Sequence, residues 1–424
     1  MLLNVVQYIL NLGPTVMLPL TITIIGIIFG QGFKKAFRSG ITIGIGFVGI
    51  NLVVGLLTTN LGGAAQQMVT RYGLQLSIID VGWPAAAAIS WASPIAAIMI
   101  PIAMLVNLVM LATKTTNVVD IDIWNYWHFT AAGASVYVLT NGNWLLAILA
   151  GILYEVAVIK IADKTAPMVQ EFFGLEGVSL PTGSTAACGL IGIPIVSVVK
   201  RIPGIKNLKA DPETIQKRFG VFGEPMMMGL ILGIVLGILA GYGVDKILQI
   251  GISMAGVMFL MPRMVRILME GLIPVSESVR EFLQKKNFGK DRNLTIGLDA
   301  AVAVGHPAVI ATALVLVPIT LFLAVILPGN QVLPFGDLAT ICFYVAFIVG
   351  SAKGNIVHSV ISGTIVMALG LLMATNISGF HTQMAQMAQF TMPAGTSTIS
   401  SLDMGGNFLN WIVIKIFQLF TGSL

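Results

Sequence analysis

Charge is scarce in this chain: Asp, Glu, Lys and Arg make up 10% of its 424 residues, against about 25% in an ordinary soluble domain. A soluble fold of this size would need far more charge to cover its surface, so that class is excluded. Cysteine is nearly absent. Cys188 and Cys342 both lie in apolar surroundings and form no CxxC or zinc spacing, which leaves no disulfide framework and no metal site. No Walker A motif, no HExxH and no dinucleotide fingerprint in a strand–turn–helix setting occurs. The chain therefore calls for no nucleotide, metal or other cofactor. Hydrophilic runs are few: 200–218 and 270–293 are the only ones of any length. At about 20 residues each they cannot fold as a soluble domain, and any soluble catalytic domain has to come from another chain.

What remains is apolar. Hydrophobic residues make up 56% of the chain, with 46 glycines and a mean hydropathy of +0.92. A spanning helix takes roughly 20 mainly apolar residues. Candidate spans are 3–29, 40–59, 93–113, 143–162, 183–199, 226–244, 246–265, 300–327, 337–350 and 356–375, with a terminal run at 406–420. The first has no basic n-region and reads as a spanning helix rather than a cleaved signal. Pro94 and Pro101 interrupt the third, and Pro307 and Pro318 the eighth. The expected fold is an all-α polytopic membrane protein of about 10–12 transmembrane helices with re-entrant hairpins.

Lys and Arg set the orientation. Lys34, Lys35 and Arg38, the six basic residues of 200–218, and the seven of 263–292 fall on the cytoplasmic side. The net charge of +5 is thus topology information, and no nucleic-acid partner is implied. Between the spans lie 60–92, 120–142, 170–185, 328–336 and 376–405, too polar for lipid and too apolar for ordinary loops. Irregular backbone is tolerated at membrane depth only where protein or a water-filled cavity covers it, an arrangement typical of secondary transporters. Its recurrence in both halves, 1–199 and 219–424 joined by the basic cytoplasmic loop 200–218, points to inverted repeats within one transmembrane unit of 1–424. The job of such a chain is to move a small polar solute.

Polar side chains in this setting are the functional candidates. Glu224 stands in Phe-Gly-Glu-Pro at the start of a span. Asp299 and His306 are seven residues apart, two turns on one stripe if their segment is helical. Asp122, Asn125 and His128 follow each other at i, i+3 and i+6 beside Trp124 and Trp127. Asp80 with Trp83, and His381 with Gln383, could line a pocket or cap a hairpin. His306 is the candidate general base, since an imidazole titrates near neutral pH.

Taken in order, Tyr8-Ile-Leu-Asn-Leu-Gly-Pro-Thr-Val-Met-Leu-Pro19, Gly44-Ile-Gly-Phe-Val-Gly-Ile50, Asp80-Val-Gly-Trp-Pro84, Trp91-Ala-Ser93, Asp122-Ile-Trp-Asn125, Phe222-Gly-Glu-Pro225, Gly297-Leu-Asp299, the run from Pro328 to Thr340 and His381-Thr-Gln383 resemble the membrane component, enzyme IIC, of a phosphoenolpyruvate-dependent sugar phosphotransferase system, in the galactitol family. Ala300, Pro307 and the alanine run 85–88 depart from that pattern. The resemblance implies a multi-pass protein of the bacterial inner membrane. It takes up galactitol or a related polyol and presents it for phosphorylation to a phosphocysteine on enzyme IIB, itself supplied by enzyme IIA. It also implies a homodimer with a core domain moving against a dimerisation domain as an elevator. A second reading is a proton- or cation-coupled symporter of a polyol or organic anion, with Asp299 and His306 serving the coupling.

Both thiols lie in apolar segments, where a thiolate is disfavoured. Replacing Cys188 and Cys342 together by serine is therefore expected to preserve enzyme IIB-dependent phosphorylation. A phosphocysteine found on this chain, or complete loss of activity in the folded double variant, would contradict that.

Overall fold

The computed structural model describes residues 14–73, 76–208, 210, 225–285, 293–334, 336–390, 392 and 397–422. Apolar runs become helices because a backbone in lipid must bond to itself. In chain order the first half gives α1 (Pro14–Ile28), α2 (Phe33–Tyr72), β1 (Ile78–Asp80), α3 (Gly82–Trp91), α4 (Ala96–Ala112), β2 (Val118–Asp120), a 3-10 turn (Ile123–Tyr126), α5 (Trp127–Leu139), α6 (Trp144–Phe173), β3 (Val178–Ser179) and α7 (Gly183–Val199). The second half gives α8 (Pro225–Leu239), α9 (Val244–Lys285), β4 (Thr295–Gly297), α10 (Ala301–Val304), α11 (Pro307–Ile326), β5 (Val332–Leu333), a 3-10 turn (Leu338–Thr340), α12 (Ile341–Ser351), α13 (Ile356–Met387), β6 (Thr398–Ser400) and α14 (Phe408–Thr421). By length and composition α6, α11 and α13 can cross a membrane, and several shorter helices are equally apolar.

The two lists are the same list. Each half holds a helix pair, then a strand, two helices, a strand, a 3-10 turn with its helix, a long helix, a strand and a last helix. The turns agree in detail. A left-handed residue and a left-handed glycine, Asn141–Gly142 and Lys353–Gly354, lead in each half to an Asn that caps the long helix. The Asn143 side chain accepts from Leu146 N at 3.1 Å and the Asn355 side chain from Val357 N at 3.1 Å. A side-chain cap of this kind stabilises by about 1 kcal/mol.

The halves are inverted. Gly49 lies against Met264, Gly271 against Ile43, and Gly241, beyond α8, against Arg71 near the end of α2. Thus α2 and α9 run antiparallel, and the α1–α2 turn lies at the opposite end from the α8–α9 turn. At 40 and 42 residues these two helices are about 60 Å long, twice a hydrocarbon core of about 30 Å. Here the structure corrects the sequence reading: 60–72 and 270–285 are helix, not loop. Likewise α13 continues to Met387, and 127–139 of the supposedly irregular 120–142 form a helix. That helix is buried from Trp127 to Val136, so protein rather than lipid surrounds its Thr, Ser and Gly.

Two small parallel sheets join the halves by exchange. β1 pairs with β5 and β6, while β4 pairs with β2 and β3. Each half thus lends its first strand to the other. The sheets satisfy the backbone of chain segments that leave the helical path inside the molecule.

Beside the first sheet the chain is clamped. Asp80 Oδ1 accepts from Gly82 N (3.0 Å) and its Oδ2 from Asp337 N (2.9 Å). Asp337 answers, its Oδ1 accepting from Trp83 N (2.6 Å) and Thr340 Oγ1 (3.3 Å), its Oδ2 from Ser401 Oγ (2.6 Å) and Asp403 N (3.0 Å). Gly82 has φ +80°, and a Cβ there would lie 2.9 Å from Gly336 O, so only glycine fits both the conformation and the approach. Leaving a buried donor unpaired costs about 1–3 kcal/mol. Asp337→Ala strips partners from two backbone N–H groups and two hydroxyls, and is expected to lower the melting temperature in detergent well beyond Asp80→Asn, which keeps one acceptor oxygen. Equal melting of Asp337→Ala and the parent would contradict the clamp.

Candidate functional site

The second sheet carries the mirror junction, and there the polar groups are less fully consumed. After β2 the chain turns at Asp120, whose Oδ1 accepts from Asp122 N (3.0 Å). The 3-10 turn then brings Asn125 Nδ2 to Asp122 Oδ2 at 2.5 Å. Asp299 follows β4, and its Oδ1 accepts from Ala301 N (2.9 Å). The Asn125 side chain, His128 and Asp403 all lie within electrostatic reach of the Asp299 carboxylate. Asp122 and Asp299 interact directly as well. Ala300 N donates to Thr182 Oγ1 (2.7 Å), a bond that a proline at this position could not make.

His128 forms the floor. Its Nδ1 is 3.2 Å from the Asn125 carbonyl and its Nε2 3.1 Å from Asp403 Oδ1, with both side chains at or below 5% exposure. Asp122 and Asp299, by contrast, are only half-buried. The two acids are therefore the partly exposed side of the site, and the imidazole is closed off from solvent. One wall is aromatic: Trp83 meets Trp124 edge-on at 6.4 Å between ring centroids, and Trp91 lies 6.3 Å from Trp124. Carboxylates, a carboxamide and an imidazole beside indole faces can bind a neutral polyhydroxylated solute through charge-assisted hydrogen bonds within an apolar-walled cavity.

Of the residues singled out from the sequence, the fold brings together Asp299, Asn125, His128 and, through Trp124, Trp83. Asp80 belongs to the clamp, with both carboxylate oxygens occupied. Glu224 lies outside the described residues. Gln383 is exposed on α13. His381 is fully buried on the same helix, with Nδ1 3.3 Å from Ser400 Oγ.

His306 is displaced from Asp299 because α10 ends at Val304 and α11 starts at Pro307, so the two do not share one helical stripe. His306 caps α11, its Nδ1 accepting from Ala308 N at 3.2 Å, and packs against Phe172 and Phe173 at 4.6 and 5.6 Å. Phe172 also touches Gly354, in the turn beside which Lys200 donates to Ser351 O. His306 thus stands at the end of the molecule where the basic segment from Lys200 onward begins. There, partial burial and the nearby Lys353 ammonium hold Lys200 below the usual lysine range.

Asp403 is the site residue that sequence reasoning missed. It sits in a Ser- and Gly-rich stretch, 400–406, that reads as a plain loop, and nothing in its spacing links it to His128, 275 positions away.

Comparison with known proteins gives a consistent result. The family model EIIC-GAT, described as a PTS system sugar-specific permease component, matches residues 8–395. The PTS system galactitol-specific EIIC component of Escherichia coli strain K12 is 43% identical over 415 residues, covering 98% of this chain and 91% of that protein. A putative permease IIC component of the same strain is 39% identical over 413 residues, covering 97% and 94%.

The partial exposure of the two acids is testable without a ligand. In a Cys188→Ser, Cys342→Ser background, Asp122→Cys and Asp299→Cys are expected to react with a small hydrophilic thiol reagent. Glu155→Cys on α6, where the native side chain is fully buried, is expected to resist it. Equal reactivity at the three positions would contradict that exposure.

Proposed function

The chain belongs to the EIIC-GAT family of phosphotransferase-system sugar-specific permease components, and from that premise we propose that it takes up galactitol, carries it across the membrane, and offers one of its hydroxyls to a phosphocysteine on a separate enzyme IIB. The single observation that carries the substrate is the 43% identity along 98% of the chain to a galactitol-specific component. The physical support is the acid–amide–imidazole floor with its indole wall, which suits a neutral polyol. Family membership disfavours the symporter reading.

Asp299 is our choice for the group that takes the proton of the acceptor hydroxyl. It is half-buried, and one carboxylate oxygen is left over after the bond from Ala301 N. His306 fits that role less well. A neutral ring whose Nδ1 accepts from Ala308 N carries its proton on Nε2, and so has no free lone pair for a base. A well-placed base contributes typically about 10²–10⁴-fold. Asn125 orients the acids, His128 supports Asn125 from beneath through its bond to the Asn125 carbonyl, and Asp122 accepts a second hydroxyl. Glu224, before α8, remains a proposed contributor on sequence grounds alone.

The basic segments 200–218 and 270–293 are proposed to meet enzyme IIB, where clustered charge would speed encounter more than it tightens binding. We further propose a homodimer in which α1, α2, α8 and α9 form the shared domain and the remaining elements the moving core. The exposed stripes Phe33, Phe37, Ile41 and Val244, Leu248, Ile252, one on each long helix, support that use of the two long helices.

Accumulated radiolabelled galactitol is expected to be recovered phosphorylated when enzymes I, HPr, IIA and IIB are present. Asp299→Asn is expected to reduce phosphorylation at least about 10²-fold while the protein keeps its melting temperature. His306→Gln is expected to cost much less. Unmodified label inside, or normal turnover by Asp299→Asn, would overturn the assignment.

A further inference from the structure

The His128–Asp403 pair has a stereochemical consequence. The Asn125 carbonyl facing Nδ1 at 3.2 Å can only accept, so Nδ1 carries a hydrogen. At the other end, Nε2 faces a carboxylate oxygen at 3.1 Å. Two lone pairs would repel at that distance, so a proton lies between them. Whichever atom holds it, imidazole and carboxylate together carry no net charge. The pair is sealed in: Gly183, the first residue of α7, lies against the ring, where an added Cβ would stand 2.6 Å from His128 Cγ. The other titratable groups facing it are Asp299 from the segment after β4, Asp337 from the segment after β5, Tyr154 from α6, Cys188 from α7 and Tyr344 from α12. None of these is cationic, and among the described residues no lysine or arginine side chain helps to build the site.

The consequence concerns what the site refuses. A phosphomonoester carries a charge near −2 at neutral pH, and proteins hold such groups with Arg, Lys, protonated His or open helix N-termini. This site offers half-buried carboxylates, and its one available cation is cancelled by Asp403. We propose that Asp403 is a specificity-determining residue that neutralises His128, so that the site accepts a neutral polyol and rejects the phosphorylated form of the same polyol. This inference rests on the assignment of the site to galactitol. The expulsion would act after transfer: a hydroxyl enters uncharged, leaves as a phosphate ester, and meets Asp122 and Asp299 with no compensating cation. Asp403 would thereby favour release of product without taking part in the chemical step.

The test compares two ligands on one purified dimer. Affinities for galactitol and galactitol phosphate are measured by competition against labelled galactitol, for the parent, Asp403→Asn, His128→Gln and the double variant. The parent is expected to bind the phosphate at least about 100-fold more weakly than galactitol. In Asp403→Asn no carboxylate meets Nε2 to cancel the charge on the imidazole when the phosphate arrives, and the gap should narrow at least about tenfold. His128→Gln, which removes the only potential cation, should keep the gap, and adding it to Asp403→Asn should restore it. The ring nitrogens give a readout that a purely structural role would not move. Nitrogen-15 spectra of histidine-labelled protein, which contains four histidines, should show hydrogen on Nδ1 and a shared hydrogen at Nε2 of His128 in the parent. A bare Nε2 there, an unchanged gap in Asp403→Asn with galactitol still bound, or a parent that binds both ligands alike would overturn the proposal. Failure of galactitol to bind the parent would instead discredit the substrate assignment, and the ratio would then be read with a polyol that does bind.

Discussion

The constraint on which the structure depends is the crossed bonding of two carboxylates to the facing segment's backbone, Asp80 to Asp337 N and Asp337 to Trp83 N. A chain that leaves the helical path inside a bilayer protein strands N–H groups with no water to satisfy them. Here two such departures are brought face to face, and each donates its amide hydrogens to the other's carboxylate. The glycines Gly82 and Gly336 permit the backbones to meet, and Ser401 with Asp403 N completes the second carboxylate. Because Asp403 is fixed from behind by Asp337, its own carboxylate is presented to His128. The junction that holds the halves together thus also fixes the carboxylate that meets His128.

The two junctions are alike in architecture and unlike in chemistry. At the first, both carboxylates have all their oxygens engaged by protein donors. At the second, Asp122 accepts from the Asn125 amide and Asp299 from Ala301 N, and both acids retain exposure. An inverted repeat supplies two places where helices break, and a solute needs one. Side-chain choice closes one junction with internal bonds and leaves the acids of the other partly exposed, which is what the proposed binding role requires.

Much of this was legible in the sequence, for identifiable reasons. Asp122, Asn125 and His128 announced themselves by regular spacing, and that spacing survives although a 3-10 turn replaces the expected α-helix. Asp299 was legible as an acid stranded in an apolar run. The helix α5 was not, since its 13 residues are too few and too polar for a lipid-facing span; its environment is protein on every side, which no local pattern reports. The repeat was hidden for a related reason. Its best local trace is the pair Gly142-Asn143 and Gly354-Asn355, two residues fixed by turn and cap geometry, while the helix faces around them diverged. Asp403 was invisible because its importance lies in a partner 275 residues distant. His306 misled because Gly305 and Pro307 break the helix that would have aligned it with Asp299.

The exchange of first strands between the halves bears on how the protein is made. When the ribosome has just passed β3, at Leu180, β2 and β3 still lack β4, their common partner, which begins about 115 residues downstream. At about 5–20 residues per second that is a wait of roughly 6–23 seconds. β1 waits longer, until β5 and β6 have been synthesised. Over that interval the nascent first half carries open strand edges at membrane depth. Neither half is a folding unit in its own right, and the membrane-insertion machinery has to shelter the first until the second arrives.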